Sequence, residues 1–441
     1  MSYILFSPIG KTDPITTYHD GSMLHICRKY KPEKVYLYIS QEMLKFHYQD
    51  NRYCQCLEWL QEKEGFACEI YIIERPDLVD VQIFDTFYDD FETEVLKIQE
   101  DNPEATILFN VSSGTPAMKS ALQFLAASSE NEYIPVQVST PQKGANREKY
   151  EFEDYPVDIN WEMNEDNIEP FIDRCIESPT RTLNKRIKLE VIRKHIEAYD
   201  YQAAWRVAQT ISDLLPEETL ALLEGAAKRF NLVCNEAEIA FRKAGVNILP
   251  AISSDKRFVV EYLLWLQIKQ KRGDLVDFLR GVTPVIVHLF ALTLKEKAKI
   301  DFYDYCEKNK KGVWYPRIAK FESKNKELYE HLQNNLPNGG ISEKTPLNST
   351  ILHEALNLQI KDMPLLEKAK ELRKLETDAR NIVAHEIVPV TDDWLQQGVG
   401  MSSYQIMKLL KEFTQQGCTG IKADVWNSYD EMNKVIIAQL K

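Results

Sequence analysis

In the stretch ARNIVAHEIVP, Ala379 to Pro389, the residues Arg380, Asn381 and His385 fall within six positions. A guanidinium, an amide and an imidazole together suit cleavage of RNA without a metal. An imidazole with a pKa of about 6.5 can exchange a proton with a 2′-hydroxyl or with a leaving oxygen. A guanidinium can hold the non-bridging phosphate oxygens as charge develops on them. The 2′-hydroxyl would then attack, leaving a 2′,3′-cyclic phosphate and a 5′-hydroxyl. At about 100° per helical residue, Asn381 and His385 share a face, whereas Arg380 and His385 lie about 140° apart. The arginine must wrap, the helix must bend, or a second copy must complete the site across a two-fold axis. The same residues would also make the polar face of an ordinary helix, so spacing alone leaves both readings open.

A second constellation lies in NVSSGTPAMKSAL, Asn110 to Leu122. An apolar strand ends at Val111, two serines and Gly114 turn the chain, and Thr115-Pro116 gives the cap and first residue of a helix. Ser112, Ser113 and Thr115 offer hydroxyls, Gly114 lets a ligand approach the backbone, and the N–H groups of Ala117 and Met118 would face a phosphate. Gly10, Lys11 and Thr12, in SPIGKTDP, sit in the loop after the first apolar run. A P-loop would need glycine five residues before Gly10, where Leu5 stands, so Lys11 is read as a point charge for an anion. No G-x-G-x-x-G follows the first strand, which removes a dinucleotide site.

The elements that would position these residues fall into two styles. Runs at Tyr3–Phe6, Val35–Ile39, Glu69–Ile73, Thr106–Val111 and Ile134–Val138 alternate with helical stretches at 41–63, 80–100 and 116–128. That rhythm predicts a doubly wound, mostly parallel sheet, which binds ligands outside the carboxyl ends of its strands. After about residue 155 the strand rhythm stops and the pattern is helical, with a loop at 334–350. The fold class is thus α/β plus all-α, with segments at 1–160, 161–330 and 331–441.

Composition narrows the function. With 67 acidic and 54 basic residues the net charge is −13, which excludes a basic nucleic-acid coat but not a local basic groove. Eight scattered cysteines, with Cys54 and Cys56 the closest pair, read as reduced thiols of a cytoplasmic protein and carry no metal pattern. The run VTPVIVHLFALTL, Val282 to Leu294, is broken by Pro284 and His288 and is shorter than the roughly 18 residues of a membrane span. It predicts a buried helix with His288 in the core, and no membrane partner.

A doubly wound first domain with an SSGTP loop, a helical middle, and ARNIVAHEIV near the C-terminus together resemble the CARF–HEPN ribonucleases of type III-A CRISPR systems, the Csm-six group. The resemblance implies a Rossmann-like CARF domain that binds a cyclic oligoadenylate made by the type III effector complex. It implies a homodimer in which two SSGTP loops meet one ring. Arg380, Asn381 and His385 match the R-N-x-x-x-H motif of the HEPN domain, which implies a metal-independent endoribonuclease acting on single-stranded RNA and not on DNA. Asn381 would orient one of the other two. The group's basic residue follows its loop sooner than Lys119 does here, which leaves the ring size open, and six adenylates are expected rather than four. Some sensor domains of the group degrade their own ring, and Thr115 is the candidate for that here. The alternative is a non-catalytic regulator with the same sensor, which would need a basic helix-turn-helix that the last hundred residues lack.

Overall fold

The computed structural model describes residues 2–129, 131–141, 155–178, 180–337, 339–383 and 389–440, with the backbone alone for Arg181 and for 379–383. The chain packs into two compact units, Met1–Ile187 and Lys188–Lys441.

In the first unit five parallel strands form where the sequence predicts them: β1 (Tyr3–Pro8), β2 (Lys34–Ser40), β3 (Glu69–Arg75), β4 (Thr106–Asn110) and β5 (Ile134–Val138). The sheet order is β3-β2-β1-β4-β5, and a sixth strand, β6 (Cys175–Glu177), closes it antiparallel to β5. That strand was not expected. It is three residues long on an exposed edge, too short for alternation to reveal it.

Alternation along β1 explains the two layers. Leu5 faces one apolar cluster with Met23 and Leu57, while Ile4 and Phe6 face another with Phe91 and Leu122. The first layer holds α1 (Ser22–Tyr30), α2 (Gln41–Asp50) and α3 (Arg52–Glu64); the second holds α4 (Phe84–Asp101) and α5 (Pro116–Ser128). The stretch read as one helix over 41–63 breaks at Asn51, whose φ of 51° is left-handed. Asparagine tolerates that conformation better than most residues.

The second unit is helical around one apolar cluster running from Leu189 to Leu440, so the segments divided at 330 in the sequence share a core. The apolar run becomes the Leu275–Thr293 helix, which keeps Pro284 inside it and packs on the Met363–Val383 and Ser403–Gly417 helices. The helical stretch Leu275–Ala298 is long and apolar enough to cross a membrane, its most apolar 18 residues having a mean hydropathy of 1.7, and 61% of that window is buried in the protein. His288, expected in the core, is exposed instead, with Nδ1 3.0 Å from the Tyr303 hydroxyl. A short antiparallel hairpin, Cys306–Lys308 with Trp314–Pro316, interrupts the helices.

Candidate functional site

The strand order of the first unit reverses between β1 and β4, which is where doubly wound sheets bind ligands. The loops leaving those two strands face a cavity of about 380 Å³. All seven loop residues singled out above line it: Gly10, Lys11, Thr12, Ser112, Ser113, Gly114 and Thr115. Three helix N-termini converge there as well, through Gly21 and Ser22 of α1, Ser40 and Glu42 of α2, and Thr115 of α5. Each contributes unpaired N–H groups and a partial positive charge, so together they favour a polyanion.

The two loops touch because residue 10 is glycine. A Cβ there would stand 2.8 Å from the Gly114 nitrogen and 3.0 Å from Ser113 Oγ. Gly114 itself has φ 76°, in the region that side chains disfavour. Buried Asp13 clamps the pair. Its carboxylate accepts from the Ser113 hydroxyl, from the Gly10 N–H at 3.2 Å, and from the Met23 N–H of α1 at 3.1 Å. Burial nevertheless raises its pKa above the ordinary aspartate value, against the pull of those donors. Asn110, fully buried at the end of β4, accepts from the N–H groups of Ser112 and Ser113 and donates to Ser7 and Ser22.

The hydroxyls behave differently from expectation. Ser112 Oγ accepts the Val138 N–H at 2.7 Å, and Ser113 is committed to Asp13. Thr115 Oγ1 donates to the Val81 carbonyl at 2.6 Å and accepts the Met118 N–H at 3.3 Å, so that N–H does not face the cavity. These side chains frame the loop. What remains for a ligand is backbone: the N–H groups of Lys11, Thr12 and Gly114 have no acceptor among the described residues.

Three cations serve the cavity. Lys11 pairs with Glu42 at 2.7 Å, both largely exposed. Half-buried Lys119 has no hydrogen-bonding partner among the described residues, and burial lowers its pKa while Asp13 opposes the shift. Arg174, just ahead of β6, was missed in the sequence because it sits in a turn-rich connection. Its guanidinium donates to Ser139 O at 2.9 Å and to Asp166 at 2.7 Å, while its buried Nε has no partner among the described residues. Asp20, His25 and Asp166 lie close enough together to hold a cation. Two guanidinium groups already fill that role, since Arg28 donates to Asp20 at 2.7 Å and Arg174 to Asp166.

In the second unit Arg380 and Asn381 lie in the last turn of the Met363–Val383 helix, and His385 lies outside the described residues. The helix is pinned seven residues earlier. Arg373 donates to Ser349 at 2.6 Å and to Thr350 at 2.7 Å, both at the start of the Ser349–Gln359 helix. Arg373 and Ser349 also both bond the buried carboxylate of Glu376, one turn before Arg380.

Three family models match consecutive stretches: the Cas_Csm6 CARF domain at residues 68–175, the CRISPR-associated protein Csm6 6H domain at 178–230, and the Cas_Csm6 HEPN domain at 248–437. The chain is 29% identical to the CRISPR system endoribonuclease Csm6 of Mycobacterium tuberculosis, over 99% of this chain and 98% of that one. It is 26% identical to the Streptococcus thermophilus CRISPR system endoribonuclease Csm6, over 99% and 100%. The solved structure of Enterococcus italicus Csm6 bound to cyclic hexa-2′-fluoro-hexa-dAMP covers all of this chain with a TM-score of 0.73 at 18% identity, a likeness of fold.

Proposed function

This chain belongs to the Csm6 family of CARF–HEPN endoribonucleases, and from that premise we propose that a cyclic oligoadenylate in the first unit switches on RNA cleavage in the second. The observation that carries the proposal is the cavity itself, with three helix N-termini, free backbone N–H groups and Lys119 around about 380 Å³. That volume suits part of a ring rather than all of it, which supports a homodimer in which two cavities share one ligand. Exposed Ile83, Phe84 and Phe124 begin two residues beyond cavity-lining Val81 and offer such a dimer an apolar face. Six adenylates are the proposed ring, in keeping with the six-membered ligand of the Enterococcus italicus protein.

In the second unit Arg380 would hold the phosphate, His385 would move the proton, and Asn381 would orient one of them. The 2′-hydroxyl would attack, giving a 2′,3′-cyclic phosphate without need of a metal. The substrate is single-stranded RNA in the cytoplasm, where the eight cysteines, all free thiols, would stay reduced. Sensing is assigned to 1–160, cleavage to 331–441 and transmission to the helices between. Slow degradation of the ring by the CARF domain is part of the proposal. Thr115 would act there as a framing residue, since its hydroxyl is bonded to Val81 and Met118.

The test is cleavage of a fluorescence-quenched single-stranded RNA in EDTA, with rings of three to six adenylates added separately. Activation by the six-membered ring alone is the expected result. A protein that cuts equally with and without every ring would overturn the proposal.

A further inference from the structure

An acidic protein that cuts a polyanion must hold that substrate somewhere despite its net charge of −13. Residues 306–326 carry seven basic and two acidic side chains. At the base of the Cys306–Lys308/Trp314–Pro316 hairpin the charges are balanced, because Glu307 takes Arg317 at 2.8 Å and Lys320 at 3.3 Å, and Glu343 meets Arg317 at 3.5 Å. At the tip they are not. Lys310 and Lys311 are exposed and have no ion-pair partner among the described residues, and Lys308 meets only the Trp314 ring, 4.8 Å away. Three like charges within four residues repel one another, and the fold meets only that of Lys308, through the Trp314 ring.

The tip is nevertheless a built turn. Asn309 Oδ1 accepts the N–H groups of Lys311 at 2.9 Å and Val313 at 3.0 Å, and Gly312 supplies the left-handed φ of 81°. The hairpin is tied to the nuclease helices through the Trp314 carbonyl, which accepts the Leu347 N–H at 2.9 Å. Two residues on, Ser349 bonds Arg373 and Glu376. The helix bearing those two reaches Arg380 about 10 Å further along its axis.

We propose that the Lys308–Lys311 hairpin tip is a docking arm for single-stranded RNA, taking backbone phosphates of the strand whose scissile bond lies at Arg380. The inference rests on the second unit being the ribonuclease; the ring plays no part in it. The experiment compares the full-length protein with its Lys308→Gln/Lys310→Gln/Lys311→Gln variant and the corresponding triple arginine variant. Labelled single-stranded RNA is titrated by anisotropy over a range of salt without activator, then cleaved at saturating cyclic hexa-adenylate.

The glutamine variant should bind about tenfold more weakly at low salt, and its log–log salt slope should fall by about 2, the release expected from three lost phosphate contacts on a single strand. Its KM should rise with kcat within about twofold, and the arginine variant should behave as the parent. Equal affinity and slope in all three proteins would overturn the proposal. So would a loss of kcat at unchanged KM, which would make the hairpin a support for the active site. Failure of every ring to activate the parent would instead count against the proposed function, leaving the anisotropy to decide on the arm.

Discussion

At the sheet edge Gly10, Gly114 and Arg174 share one cavity although the chain between them runs through four strands of the sheet. At the end of the Met363–Val383 helix, Arg380 and Asn381 are neighbours in sequence. The first site is made by topology and consists mostly of backbone, framed by hydroxyls and a buried carboxylate. The second, as proposed, is carried by the side chains of one helix, with its pinning residues Arg373 and Glu376 two turns and one turn earlier. A site of the first kind tolerates loss of a single cation, because many dipoles share the load, but not a change in loop geometry. A site of the second kind depends on each named side chain.

Breaking the second site should therefore have the largest effect. Arg380→Ala or His385→Ala should lower RNA cleavage at least a thousandfold, a size roughly in keeping with losing general acid–base or charge-stabilising groups. Ring binding measured by calorimetry should not change. In the first site the geometric change comes next. Gly10→Val would drive its Cβ into the Gly114 nitrogen, and the ring concentration for half-activation should rise about a hundredfold with the unit still folded. Lys119→Ala should cost less, about tenfold in the same measurement, since its half-buried charge is one of several contributions.

The smallest effect concerns pH. The folded pKa of Asp13 lies above its unfolded value, so its contribution to stability is complete below the ordinary aspartate pKa of about 3.9 and is lost as pH rises through the folded value. A bound polyanion pushes that value higher still. Ring affinity should thus improve a few-fold as pH falls towards the folded Asp13 value, and Asp13→Asn should flatten the dependence.

The same contrast decides what was legible in the sequence. The five parallel strands, the Thr115-Pro116 cap and all seven cavity-loop residues could be read, because alternation and capping are local and the edge of a doubly wound sheet is a place known in advance. The roles of the hydroxyls could not, since their partners Asp13, Val81 and Val138 come from other loops and strands. Arg174 and the edge strand Cys175–Glu177 were missed for the same reason: a three-residue exposed strand has no periodicity, and its register is set by β5. His288 was misplaced because an apolar run says nothing about which face of the helix one polar residue occupies. Arg380 and Asn381 were picked out as residue types at a spacing and remain a proposal, whereas Ser349 and Thr350, which pin their helix, belong to another helix and left no local trace.

The central claim is that the cavity at the sheet edge controls cleavage at the helix end. Binding of cyclic hexa-adenylate and cleavage of RNA should be measured on the same preparations of the parent, Gly10→Val and His385→Ala. His385→Ala should bind the ring as the parent does and cut nothing. Gly10→Val should bind and cut only weakly at ring concentrations that just saturate the parent. Full cleavage by Gly10→Val at those concentrations, or cleavage by the parent without any ring, would contradict the claim.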